Sequence, residues 1–478
     1  MKNQQKHRYE SPLVARNASP AMAALFSQHH RILTWRRVWL ALAEAQKELG
    51  LRITNKQLTE LRRGLEKIDL AKAARYEQKT RHDVMAHLHA YGDVAPAARG
   101  ILHMGATSCD ITDNADLVIL REALELIRDW LVNVIDAMGK FARRYRDLPT
   151  LGLTHYQPAQ LTTVGKRTAN WCYDFVRDLE EVEGRIAGMR FRGVKGATGT
   201  QASFLQLFDG SAAKVDRLEK LVARKMGFSA CEPVTGQTYS RKVDAQIVST
   251  LAHIATSVHK FCNDIRLLAG AKEIEEPFET TQVGSSAMAY KRNPMRCERA
   301  TGLARLVISL TTSPMQTAAE QWLERSLDDS SNRRVTVAEA FLANDGMLMI
   351  VANVARGLVV YPKVIAARVA AELPFMATEA ILMAATAAGG DRQALHERIR
   401  KHAHAAAKQV KQHGRANDLV ARIKSDPAFE AVDIDAVVQA GNFVGLAPRQ
   451  VDRFITDVVT PIRRRYRKAI GKDASLRV

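Results

Sequence analysis

Residues 284–298 read GSSAMAYKRNPMRCE, and no other stretch constrains the chain as strongly. A serine pair, Ser285 and Ser286, sits among small residues, and Lys291, Asn293 and Pro294 follow within nine positions. The G-x-S-x-G frame of a hydrolase nucleophile elbow is missing. The glycine spacing of a phosphate loop is missing too. What remains is a flexible polar loop carrying a hydroxyl, an ammonium and a carboxamide.

This loop is set in a chain of long helices. After Thr112-Asp113, which reads as a cap, apolar residues fall at Leu117, Leu120, Leu124, Ile127, Leu131, Val134, Met138 and Phe141. Steps of three and four make the seam of a helix packed in a bundle. The rhythm returns at Ile247, Leu251, Ile254, Val258, Phe261, Ile265 and Leu268, and more loosely from Trp171 through Phe175, Leu179, Val182 and Ile186 to Met189. A further helical segment over 334–356 ends at Gly357 and Pro362. Seams this long predict helices buried against several neighbours, some from other subunits; an antiparallel bundle within one chain is the alternative. Aromatic residues are only 6 % of the chain, which is poor in the material that sheets prefer. The expected class is all-α. At about 150 residues per domain, three helical parts are expected. Their limits are 1–108, a central long-helix bundle at 109–360, and 361–478.

Lys and Arg number 70 against 51 acidic residues, a net charge of +19. Such an excess attracts anions, either nucleic acid or a small polyanionic substrate, and charge alone does not choose. The five cysteines are scattered without a CxxC pair, as expected of reduced thiols in the cytoplasm. The basic N-terminus MKNQQKHRYESP lacks the apolar core of a signal peptide. No uninterrupted apolar run reaches the length of a bilayer span, so no membrane is expected.

Several polar stretches break the helical rhythm: RHDVMAHLH (81–89), GATSCDITDN (105–114), LTHYQPAQLTTVGKR (153–167), FRGVKGATGTQASF (191–204) and TGQTYSRKVD (235–244). They abut helix starts, where free backbone N–H groups bind anions. His155 lies just before Pro158, which bars a helix through the preceding turn, so the imidazole can stand exposed and exchange a proton near neutral pH. His82, His87 and His89 lack the i, i+4 spacing and the further ligands that a zinc site needs. Arg81, His82 and Asp83 read better as a cation, an imidazole and the carboxylate that orients it. Arg299, Arg325, Arg333 and Arg334 carry forks suited to phosphate and carboxylate, although any one alone reads as a surface ion pair.

The loop resembles the signature of the fumarase/aspartase superfamily, G-S-S-x-M-P-x-K-x-N. Together with RHDVMAH, GATSCDITDN, PTLGLTHYQPAQLTTVGKR, FRGVKGATGTQASF, TGQTYSRKVD and ELPFMATE, and from RYESPL onward, the chain resembles the adenylosuccinate lyases of the animal-like type. The resemblance implies β-elimination of fumarate from adenylosuccinate, giving AMP, and from the succinyl-aminoimidazole-carboxamide ribotide (SAICAR), giving AICAR. It implies a homotetramer around a central helix bundle, with active sites shared between subunits and neither metal nor cofactor. Carried over by motif, Ser285 is the base and His155 the acid. Arg16, Asn17, Arg81, His82, Asp83, Thr107, Ser108, Gln237, Lys291, Asn293, Arg299, Arg325, Ser330 and Arg334 hold the phosphate, base and carboxylates. Ala289 replaces the proline usual in the loop, which is expected to leave the open loop more mobile. Asn17 stands where animal relatives have tyrosine. A sister lyase acting on argininosuccinate, malate or aspartate is a rival, although RHD, TGQT and the arginines after the loop favour a nucleotide. A nucleic-acid-binding scaffold is a second rival, motivated by Arg463-Arg464-Arg465. It predicts steeply salt-dependent binding.

Overall fold

A computed structural model describes residues 9–279 and 281–476; most of the basic N-terminal stretch lies outside them. The long seams form helices. The elements that position the site are α1 (Gln28–Glu48), α2 (Leu70–Thr80), α3 (Asp83–Val94), α4 (Ser108–Arg144), α5 (Val164–Gly188), α6 (Lys242–Gly270), α7 (Met295–Ser309) and α8 (Asp329–Gly357). Helix α4 packs on α5 and α8, and α6 packs on α5, α7 and α8. Every seam residue predicted on α4 and α6 is buried, whereas Ile186 at the end of α5 is only partly covered.

The bundle core also takes in Ile365, Val369 and Leu373, and near the C-terminus Val451, Ile455, Val459 and Ile462. A separate small core forms from Ile381, Leu382, Leu395, Ile399, Leu419, Ile423, Phe429 and Ile434.

The helix starts differ from expectation. Helix α4 begins at Ser108, a turn before Thr112-Asp113, because the Asp110 carboxylate accepts the Thr107 N–H at 2.8 Å. Residues 83–89, expected to be irregular, belong to α3. His82 caps that helix, its Nδ1 accepting the Met85 N–H at 3.4 Å, and Asp83 in the first turn suits the helix dipole. Helix α8 begins at Asp329, more than a turn before the expected 334. It carries a window of mean hydropathy 1.5, long and apolar enough by length and composition to cross a bilayer, although Asn344 and Asp345 interrupt its apolar run. Since 83 % of that window is buried inside the bundle, it is a core helix.

The 153–167 stretch forms a hairpin of β1 (Pro149–Thr154) and β2 (Gln157–Thr163) before α5 begins. Its register slips between Leu151 and Leu153. Gly152 is required there, because a Cβ would lie 2.5 Å from the Gln160 carbonyl oxygen. A second pair, Ile274–Glu275 with Val359–Val360, is the other two-stranded sheet among the described residues.

Candidate active site

Three aspartates on successive turns of α4 gather the polar segments. The Asp110 carboxylate accepts from the buried Arg192 guanidinium and from the Lys195 N–H at 2.8 Å and the Gly196 N–H at 3.2 Å. Arg192 in turn donates to the carbonyls of Gly196 and Gly236, at 3.0 and 3.1 Å, so it ties the 191–204 loop to the 235–244 loop. Asp113 accepts the Tyr239 N–H at 3.0 Å and both terminal nitrogens of Arg241, at 3.1 and 3.3 Å. Asp116 takes Arg333 of α8 at 3.3 Å. Arg241 also donates to Asp329 at 2.6 Å, and Asp329 accepts from Arg325 at 2.9 Å. Each buried charge is thus paired and hydrogen-bonded, the condition under which interior ions persist.

Above this network opens a cavity of about 710 Å³. Three helix N-termini point into it: α3 at His82 and Asp83, α4 at Thr107 and Ser108, and α8 at Asp329 and Ser330. Each turns the positive end of a helix dipole toward the cavity. Arg81, Gln237, Arg325 and Arg334 complete the polar wall; Phe26, Trp35, Ile119, Leu120 and Val337 form an apolar one. The arrangement suits a ligand with an apolar body and several negative groups. The Cys109 thiol, pushed up to about 11 by burial, lies on the wall 3.7 Å from the Gln237 amide oxygen and stays protonated.

The RHD triplet works differently from the expectation. Asp83 does not orient His82 by a hydrogen bond, because Nδ1 and the carboxylate are 3.7 Å apart. Cap formation occupies Nδ1, and Nε2 faces the Ser108 hydroxyl at 3.4 Å. The Asp83 carboxylate instead lies 3.6 Å from Arg334. The three histidines diverge: His87 turns inward against Trp35, and His89 stacks on Tyr76.

The structure brings together Arg81, His82, Asp83, Thr107, Ser108, Gln237, Arg325, Ser330 and Arg334, but not the rest. His155 stands exposed at the hairpin tip, where it and Tyr156 have φ of 53° and 59°, a primed two-residue turn. In the signature loop, Ser285 Oγ accepts the N–H groups of Ala287 and Met288 at 3.3 and 3.1 Å. Asn293 donates to the Gly284 carbonyl at 2.9 Å, and the Lys291 side chain is exposed. Gly284 fits because a Cβ would lie 2.2 Å from the Lys291 carbonyl oxygen. Arg299 of α7 donates to the Asn17 side chain at 2.7 Å and to the Arg16 carbonyl, so these three form their own cluster. Asn17 also donates to the Pro12 carbonyl at 2.8 Å, which gives this departure a positioning role.

Sequence reasoning missed the aspartates of α4, although D-x-x-D-x-x-D at 110, 113 and 116 signalled them. It also missed Arg31 and Trp35, for which no motif exists.

Comparison with known proteins agrees with this picture. A lyase family model matches residues 17–309, and one for the adenylosuccinate lyase C-terminus matches 374–454. Adenylosuccinate lyase of Schizosaccharomyces pombe is 51 % identical over 471 residues, covering 97 % of this chain and 98 % of that protein. The Saccharomyces cerevisiae enzyme is 50 % identical over 470 residues, with the same coverage. Among solved structures, the 3-carboxy-cis,cis-muconate lactonizing enzyme of Pseudomonas putida shares the fold with a TM-score of 0.80 at 22 % identity, covering 95 % of this chain and 100 % of that one. Fumarate lyase from Mesorhizobium sp. BNC1 does so with a TM-score of 0.76 at 24 % identity, covering 92 % and 99 %. Matched from end to end by relatives at half identity, the chain belongs to the adenylosuccinate lyase family.

Proposed function

We propose that this protein is a carbon–nitrogen lyase that releases fumarate from adenylosuccinate, leaving AMP, and from SAICAR, leaving AICAR. The observation that carries the reading is the cavity into which three helix N-termini and the forks of Arg81, Arg325 and Arg334 converge. A substrate with a phosphate and two carboxylates needs such a surround, and preorganised donors are worth most where charge develops during reaction.

Ser285, as alkoxide, removes a proton from the carbon next to a succinyl carboxylate. The electron pair left behind forms the double bond of fumarate as the C–N bond breaks, and His155 returns a proton to the leaving nitrogen. A serine alkoxide needs stabilisation. The N–H groups of Ala287 and Met288 already hydrogen-bond to Ser285 Oγ and supply part of it. Lys291 and Asn293 hold the succinyl carboxylate once the loop closes over the substrate and excludes water.

The acid and base lie outside the cavity wall of their own chain, so the complete site is assembled in a homotetramer from loops of neighbouring subunits. Trp322, Leu323 and Leu327, exposed at 71 %, 97 % and 70 %, flank Arg325 and support an interface there.

The test is fumarate release, followed by ultraviolet absorbance, from adenylosuccinate and SAICAR. Ser285→Ala should retain fold and assembly and lose on the order of 10²–10⁴ in rate, as expected for loss of a proton-transfer group. Near-normal turnover by that variant refutes the base assignment, and no turnover by the wild type refutes the activity.

A further inference from the structure

We propose that Arg31 binds the phosphate ester of the nucleotide, sharing it with Arg334. The inference rests on the adenylosuccinate reading above. Arg31 lies in the first turn of α1 and lines the cavity. Its guanidinium carbon sits 5.7 Å from the centre of the Trp35 ring, and Trp35 is wedged edge-on against Trp39 and His87. An aromatic base therefore holds the fork, where carboxylates hold its neighbours. Arg241, Arg325 and Arg333 each donate to an aspartate within 3.3 Å. Arg31 has only the longer-range influence of Asp116, Asp83 and Glu77, and its Nε is buried with no hydrogen-bond partner. Among the described residues its fork has no carboxylate hydrogen-bonded to it, so its terminal nitrogens are left for an anion in the cavity.

Burial, and after it repulsion from Arg334 on the same cavity wall, lowers the Arg31 pKa. Asp83, 3.6 Å from Arg334 and beyond hydrogen-bond distance, offsets that charge only in part, so the pair of forks still favours an anion between them. A phosphate monoester carries nearly two charges at neutral pH and three acceptor oxygens. That matches two guanidinium forks with oxygen to spare for the Ser330 hydroxyl near the start of α8. A carboxylate, with one charge and two oxygens, would leave a fork unmatched.

The test titrates AMP, adenosine and fumarate into the purified full-length protein and its Arg31→Gln and Arg31→Lys variants by calorimetry. Arg31→Gln should weaken AMP about 10- to 100-fold, the loss of one charged hydrogen-bonding partner, and leave adenosine and fumarate unchanged. KM for adenylosuccinate should rise by the same factor, with kcat held within about threefold. Arg31→Lys, which keeps the charge and most of the stem, should fall between and serves alone if the glutamine variant folds poorly. Unchanged AMP affinity, equal weakening of AMP and adenosine, or a loss confined to fumarate overturns the assignment. Arg31-dependent AMP binding by a protein that releases no fumarate would sink the activity and leave the phosphate ligand standing. Normal turnover with unchanged AMP affinity in Arg31→Gln would do the reverse.

Discussion

His87 lies on the buried side of α3, 5 % exposed, with Nδ1 unpartnered. Burial lowers its pKa to about 4, helped by the charges of Arg31 and Arg36 from α1; Asp83 on its own helix pulls weakly the other way. The unfolded histidine titrates near 6.5. Between those values the unfolded chain takes up a proton that the folded chain refuses, so stability falls as pH drops through the window. By pH 5 the cost is about 2 kcal/mol. Urea unfolding at pH 7 and pH 5 should show that loss in the wild type and a flatter response in His87→Leu. An equal acid sensitivity in both would refute the assignment. The composition pattern marked His87 only as one of three neighbouring histidines. Its inward turn depends on α1, whose side chains surround it.

Helix α4 shows what periodicity reveals and what it conceals. Its seam was legible because burial against α5 and α8 demands apolar residues every three or four positions. Its start was not, because Thr112-Asp113 has the composition of a cap, while the partners that engage Asp110 and Asp113 come from loops far along the chain. Arg192, 82 residues from Asp110, is completely buried with it. Removing one member of such a pair costs about 3–5 kcal/mol, whereas removing both charges costs less. Arg192→Met should therefore lower the chemical unfolding free energy by about 3–5 kcal/mol. The double variant Arg192→Met/Asp110→Asn should recover part of it. A double variant as unstable as the sum of the singles would argue against coupling.

On the proposed reading, assembly decides whether the chemistry can occur. Within one chain the candidate binding groups divide among the cavity, the Arg16–Asn17–Arg299 cluster, the hairpin tip and the signature loop. If sites are shared as proposed, mixing inactive His155→Ala with inactive Ser285→Ala subunits should restore activity, since some sites in a hybrid draw both groups from intact loops. The measurement is fumarate release after subunit exchange confirmed by native mass spectrometry. No recovery in verified hybrids would count against sharing.

The amino-acid order alone determined the all-α class, the bundle seams, the family and the candidate residues, because helical period and motif chemistry are local properties. Only tertiary structure decided which of those residues meet. It turned Asp110, Asp113 and Asp116 into anchors, aimed three helix N-termini at one cavity and set Arg31 against Trp35. Those outcomes depend on charges and rings brought together from distant parts of the chain, where burial makes an unpaired group costly and so selects the partner.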